Sequence, residues 1–262
     1  MYPRALSIAG SDSSGGAGIQ ADLKTFTVLD VYGMTAITAL TAQDTCGIDQ
    51  ILPVPTDLVR QQIEVVLDDI GCDAAKTGML LTAETVVVAA RTLVDHRVER
   101  LVIDPVFVAG TGTPLAQHDL PHALLTELVP HALLVTPNIS EATVLTGIEI
   151  RKVADMHAAA SKLVDAGAKA CLVKGGHLTS GPAIDVLMVG QSARELVSDR
   201  LPVTHTHGSG CQLSAAITSF LAHGLPLGEA VERGKEFITK AIAAGLALGH
   251  GSGPANPLAW RK

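Results

Sequence analysis

Two rhythms of apolar and polar positions alternate along the chain. Short apolar runs bounded by Gly, Pro or Asp give way to longer stretches in which apolar residues return every three or four positions. Residues 4–9 predict a strand, and 17–29 a helix carrying Ile19, Leu23, Phe26 and Leu29 on one face. Strands are predicted over 35–42, 73–77, 101–104, 132–136 and 170–174. Helices are predicted over 58–70, 83–94 (capped by Thr82), 156–166, 210–222 and 227–248. Residues 184–189 and 194–198 predict a hairpin around Gly190-Gln191. This alternation predicts one α/β domain spanning residues 1–262, with a mostly parallel central sheet and helices on both faces. Ligands of such folds bind beyond the carboxyl ends of the strands. The chemically distinctive residues fall at those ends: 10–12, 43–44, 76–79, 104–105, 138 and 174–177.

Composition sharpens the picture. Hydrophobic residues make up 47% of the 262 positions but aromatics only 3%. The core must therefore come from Ala, Val, Leu and Ile, as buried parallel strands require. The net charge of −7, with no basic run, argues against nucleic acid and anionic membrane surfaces as partners. No apolar run approaches the length of a membrane span. Cys46, Cys72, Cys171 and Cys211 are scattered without a CxxC pair. That predicts reduced thiols in a cytoplasmic setting rather than disulfides or a zinc site. His205 and His207 could share a strand face, but with no further ligands nearby they read as local structure.

The most informative stretch is Thr206-His207-Gly208-Ser209-Gly210-Cys211-Gln212-Leu213-Ser214. Gly208, Ser209 and Gly210 lead straight into an apolar helix, whose free N–H groups and dipole make an anion cradle. Cys211 at its mouth is the candidate catalytic base, its pKa lowered toward neutrality by the helix N-terminus. The competing reading is a tight turn with a small buried thiol. Residues 10–22 read GSDSSGGAGIQAD. Residues 16–21 match the G-x-G-x-x-A dinucleotide pattern, yet the loop before them is long for a tight βα turn, and Asp44 comes late for a ribose-binding acid. A polar glycine loop closing over a small ring is the rival reading. No G-x-x-x-x-G-K-[ST] motif occurs, so ATP would have to be bound another way. Asn138 and Glu141, three apart at a helix start, could organise hydrated magnesium or simply cap the helix. Asp104 before Pro105 suits magnesium or a turn. Lys174 before Gly175-Gly176-His177 suits phosphate charge or a solvated strand end.

Taken together, these segments resemble the hydroxymethylpyrimidine and phosphomethylpyrimidine kinases of thiamine biosynthesis, members of the ribokinase-like superfamily. The resemblance runs from residues 7–22 through 38–47, 76–79, 104–106, 136–141 and 173–177 to 206–211. It implies a ribokinase-like fold and transfer of the γ-phosphoryl of ATP, with Mg²⁺, to 4-amino-5-hydroxymethyl-2-methylpyrimidine and then to its monophosphate. It implies that Gln43 hydrogen-bonds the aminopyrimidine while Gly10, Asp22, Met79 and Val106 wall the ring. It implies further that Asn138, Glu141 and Lys174 face ATP and magnesium, and that residues 208–211 form an anion hole. Cys211 stands where most superfamily members place a catalytic Asp, and dimers are common among them, so a homodimer is expected. Three features depart from the family pattern: the stretch 107–114, where Phe107 is expected to narrow the ring pocket; Gln212 in place of Thr; and the element at 253–257 without its usual His. Pyridoxal kinase is the neighbouring alternative, and a nicotinamide oxidoreductase and a non-catalytic pyrimidine sensor are the alternatives outside the kinases.

Overall fold

A computed structural model describes residues 2–110, 112–176 and 182–261. The strands are β1 (Arg4–Ala9), β2 (Tyr32–Ile37), β3 (Ala39–Gln43), β4 (Ile48–Pro53), β5 (Ala74–Thr77), β6 (Leu101–Ile103), β7 (Leu134–Val135), β8 (Ala170–Val173), β9 (Ala183–Val189) and β10 (Ser192–Ser198). The helices are α1 (Gly18–Val28), α2 (Thr56–Asp69), α3 (Ala83–Asp95), α4 (Leu120–Ala123), α5 (Ile139–Thr146), α6 (Val153–Asp165), α7 (Ser209–Ala222) and α8 (Leu227–Ala243). Eight strands form one sheet in the order β10-β9-β8-β7-β6-β5-β1-β2, parallel from β8 to β2, with β9 and β10 antiparallel at one edge.

Alternate residues of each parallel strand feed two cores. Leu6, Ile8, Ala75, Leu101, Ile103, Cys171 and Val173 belong to one that includes residues of α2, α3, α5 and α6. Ala5, Ala74, Val102, Ala170 and Leu172 belong to the other, with residues of α1, α7 and α8. Both faces of these strands are dry, which explains why their sequences are continuous apolar runs. The chain leaves β1 for β2 on one side and then crosses to β5 on the other. That reversal opens a crevice at the carboxyl ends of β1 and β5.

The expected strand over 35–42 is two strands. Thr38 leaves the main sheet, its hydroxyl donating to Met79 O at 2.6 Å and its carbonyl accepting from Val54 N–H. The chain then continues as β3, which pairs only with β4 in a separate two-stranded ribbon. The largely exposed β4 carries no regular alternation and was not anticipated. The last long helix stops at Ala243 rather than 248. Gly245 packs against His205, and Leu246 N–H pairs with Pro254 O, turning the chain away. Among the described residues no helix is long and apolar enough to cross a membrane.

Candidate active site

A cleft of about 600 Å³ lies over the carboxyl ends of the strands. Gly10, Gln43, Met79, Val106, Asp104, Asn138, Glu141, Lys174 and the turn 208–211 all border it. Residues remote in sequence are thus brought to one surface. Asp22 is the exception. It is fully buried beneath the cleft, where its carboxylate accepts from Ser7 Oγ at 2.6 Å and Lys76 Nζ at 2.8 Å. Ser7 and Lys76 are register partners on β1 and β5, so both project to the face that α1 covers. Asp22 therefore supports the floor and does not wall the ring.

On the ring side, Gln43 sits at a register shift in β3. Ser13 exchanges two bonds with its backbone, at 2.6 and 2.8 Å, and Thr41 Oγ1 donates to its side-chain Oε1 at 3.2 Å. The Gln43 amide NH₂ makes no bond among the described residues. The methyl of Met79 lies against Gly10, where any Cβ would collide with it. Val106, Val108, Ala109 and Leu115 add apolar wall. Phe107 does not narrow this pocket; it is 6% exposed and packs into the core beneath α3. Alternation along the chain turns it inward between Val106 and Val108. His177 and Thr111 lie outside the described residues.

Gly208 opens the turn at φ 73°, and α7 begins at Ser209. The Ser209 N–H is bound by Thr206 O and that of Gln212 by Gly208 O. The N–H groups of Gly210 and Cys211 therefore remain for an anion, as the first turn of a helix dictates. Lys174 Nζ lies 3.4 Å from where a Cβ on Gly210 would stand, so the cation guards the same mouth. Cys211 differs from expectation. Burial pushes its thiol up to about 12, against Lys76 and a Gly18 N–H bond that pull it down. Loss of solvation thus acts against the lowering expected of a helix N-terminus.

On the remaining side, Lys174 follows β8 and is held in a parallel bridge to Asn138. Its ammonium is 2.9 Å from Asp104 and 4.0 Å from Glu141, and these carboxylates raise its pKa above the ordinary value despite burial. Asn138 and Glu141 form a reciprocal capping box on α5, with bonds of 2.9 and 2.7 Å. The capping reading is thus correct, although Glu141 still borders the cleft. Burial pushes its carboxyl up to about 7. Asp104 commits its oxygens to Lys174, Thr136 and Ser214. Of the two acids, Glu141 is the better placed to meet a hard cation, since only its Oε2 is bound. Sequence reasoning missed three pairs: Asp12–His207, Lys76–Asp22 and Lys235–Asp185 at the far end of the cleft. None carries a local sequence signal, because each joins distant segments.

The family model for phosphomethylpyrimidine kinase matches residues 12–256. The chain is 46% identical over 257 residues to the hydroxymethylpyrimidine/phosphomethylpyrimidine kinase of Rhizobium meliloti, covering 97% of this chain and 96% of that protein. It is 47% identical over 257 residues, 97% of its length, to a thiamine biosynthesis bifunctional protein of Geobacter sulfurreducens, of which it spans 52%. An ADP complex of Bacillus subtilis pyridoxal kinase superposes with a TM-score of 0.94 at 43% identity, covering 100% of this chain and 99% of that one. The α/β architecture expected from the sequence is therefore ribokinase-like, and the oxidoreductase and sensor alternatives fall away. This chain belongs to the phosphomethylpyrimidine kinase family and is a phosphotransferase.

Proposed function

We propose that the protein uses Mg-ATP to phosphorylate 4-amino-5-hydroxymethyl-2-methylpyrimidine and then its monophosphate. One observation carries this reading: a single cleft joins a neutral, amide-bearing ring pocket around Gln43 to a cationic anion turn at Gly210, Cys211 and Lys174. Gln43 can donate to and accept from an aminopyrimidine edge. Gly10, Met79 and Val106 supply its apolar walls. The acceptor oxygen forms a bond to the γ-phosphorus as the bond to the ADP oxygen breaks, and the proton of the hydroxymethyl acceptor leaves to water, in a loose transition state that demands positioning and charge stabilisation more than a strong base. The Gly210 and Cys211 N–H groups and Lys174 are preorganised for that charge. Glu141, with its free carboxylate oxygen, suits magnesium, which usually takes one or two carboxylates beside phosphates and water. Bound there, magnesium would neutralise charge on the triphosphate. Asp104 acts behind it by holding Lys174 in place, and Asn138 fixes Glu141 through the capping box.

The same reading takes the protein as a cytoplasmic homodimer, which gel filtration with light scattering checks. Phosphorylation is tested by coupled ADP release with the pyrimidine, its monophosphate and pyridoxal. Transfer to both pyrimidines supports the proposal. Transfer to pyridoxal alone favours the second reading, which rests on the near-complete superposition with a pyridoxal kinase. ATP consumption with no acceptor phosphorylated would sink both.

A further inference from the structure

One buried side-chain hydrogen bond joins the loop over the ring pocket to the turn that receives the phosphoryl group. His207 Nε2 lies 2.9 Å from Asp12 Oδ2 across 195 residues, with side chains 4% and 2% exposed. Asp12 also sets the shape of the glycine loop. Its Oδ1 accepts from Ser14 N–H at 2.9 Å and Ser14 Oγ at 2.7 Å, and its Oδ2 from Ala17 N–H at 2.7 Å. Burial works against ionisation of this carboxyl, but His207, Ser14 and Ala17 together hold it below the usual range.

His207 is equally fixed on its own side. Its N–H donates to Gly253 O at 3.1 Å, and its carbonyl accepts from Ala255 N–H at 3.2 Å. The next residue, Gly208, opens the anion turn at φ 73°. A Cβ on Gly208 would strike the Gly16 carbonyl, and a Cβ on Gly16 would strike the imidazole. The two segments therefore touch backbone to backbone. Gly18, which opens α1, packs against the same loop, where a Cβ on it would strike the Gly10 carbonyl. The glycine loop borders the ring pocket through Gly10 and Ser11, while the turn borders the phosphate mouth.

We propose that Asp12 and His207 are a positioning pair that couples occupancy of the ring pocket to the geometry of the anion turn. The inference rests on the phosphotransfer reading above. An acceptor ring that settles the glycine loop fixes Asp12, and through His207 it fixes Gly208 to Cys211. A phosphate in the turn sets the loop by the same path, since coupling between sites is reciprocal. The consequence is cooperativity between the two ends of the cleft: an acceptor in the ring pocket strengthens phosphate binding at the turn, and phosphate in the turn strengthens acceptor binding.

The test is a double-variant cycle of His207→Ala and Asp12→Asn, with His207→Gln as the conservative replacement. The Kd of magnesium and β,γ-methylene ATP is measured with and without saturating pyrimidine, and melting temperatures are recorded. In the wild type the pyrimidine should tighten analogue binding by about tenfold. Each single variant should bring that ratio close to one, and the double variant should do no more than either single. kcat should fall by about tenfold to a hundredfold, and the pyrimidine KM at saturating ATP should rise by about the tenfold factor lost from analogue binding. His207→Gln, whose amide can still donate to Asp12, should recover part of the ratio. If His207→Ala does not fold, Asp12→Asn and His207→Gln give the answer. A wild-type ratio of one, or a ratio that survives in the variants while only melting temperature drops, overturns the proposal in favour of a structural brace. If the wild type binds pyridoxal but no pyrimidine, the acceptor assignment fails instead, and the cycle is read with pyridoxal.

Discussion

Lys76 and Lys174 occupy similar places in the sequence, each at the end of an apolar strand and shortly before glycine, yet they do opposite work. Lys76 is fully buried and paired with one carboxylate, Asp22, with Cys211 O as a further acceptor at 3.4 Å. Burial pulls its pKa down, but Asp22, Cys211 and Asp104 more than restore it. Lys174 keeps 15% of its side chain exposed, shares its charge between Asp104 and Glu141, and faces the anion turn. An ion pair closed off from the cleft can only stabilise or destabilise the fold. A cation shared by two acids at an open mouth can exchange part of that contact for phosphate. The difference lies in partner number and access, not in the lysine itself.

Removing the closed pair should have the largest effect. Lys76→Met leaves Asp22 buried without its cation and should cost about 3–5 kcal/mol of stability. Urea unfolding checks it; a loss under about 1 kcal/mol would mean that water or rearrangement reaches Asp22. Next comes Lys174→Gln, whose amide can still donate to Asp104 and so spares the fold. It should lower kcat/KM about 10²–10³-fold, the scale of losing one preorganised transition-state donor. Melting close to wild type, alongside that loss, separates it from Lys76. A rate within a few-fold of wild type would return Lys174 to the structural class.

Smaller effects sharpen the map between the lysines. Gln43→Leu should leave a ring edge unpaired, at a cost of about 1–3 kcal/mol, seen as a higher pyrimidine KM with ATP affinity unchanged. An unaltered pyrimidine KM would remove Gln43 from the ring pocket. Cys211 lies within reach of both lysine charges, and its thiol pKa of about 12 gives a pH signature. Because the raised pKa keeps the thiol protonated near neutrality, alkylation should accelerate steadily with rising pH from 7 to 10. A plateau near pH 7 to 8 would instead reveal a thiolate and restore Cys211 as a base.

Much of this site was legible residue by residue. The Gly208–Cys211 turn, Gln43 and Lys174 are marked by local chemistry: glycine before a helix, an amide or a cation at a strand end. Asn138 and Glu141 were legible as a cap because their spacing alone permits the reciprocal bonds. Asp22 and Phe107 misled. Each lies within a motif that suggests the ring, and each is turned away by packing, Asp22 onto Lys76 and Phe107 into the core. His207 was passed over because its partner is 195 residues away.

The alternation of strands and helices, the dry aliphatic core and the polar strand ends where chemistry gathers are written in the residues themselves. Periodicity, glycine turns and helix caps are local, and short-range sterics and hydrogen bonding dictate them. Which lysine faces the cleft, how strongly burial raises the Cys211 thiol, and the meeting of Asp12 with His207 emerge only on folding. Those outcomes depend on desolvation and on charges supplied by distant segments, and neither exists until the sheet and its two helical layers close around them.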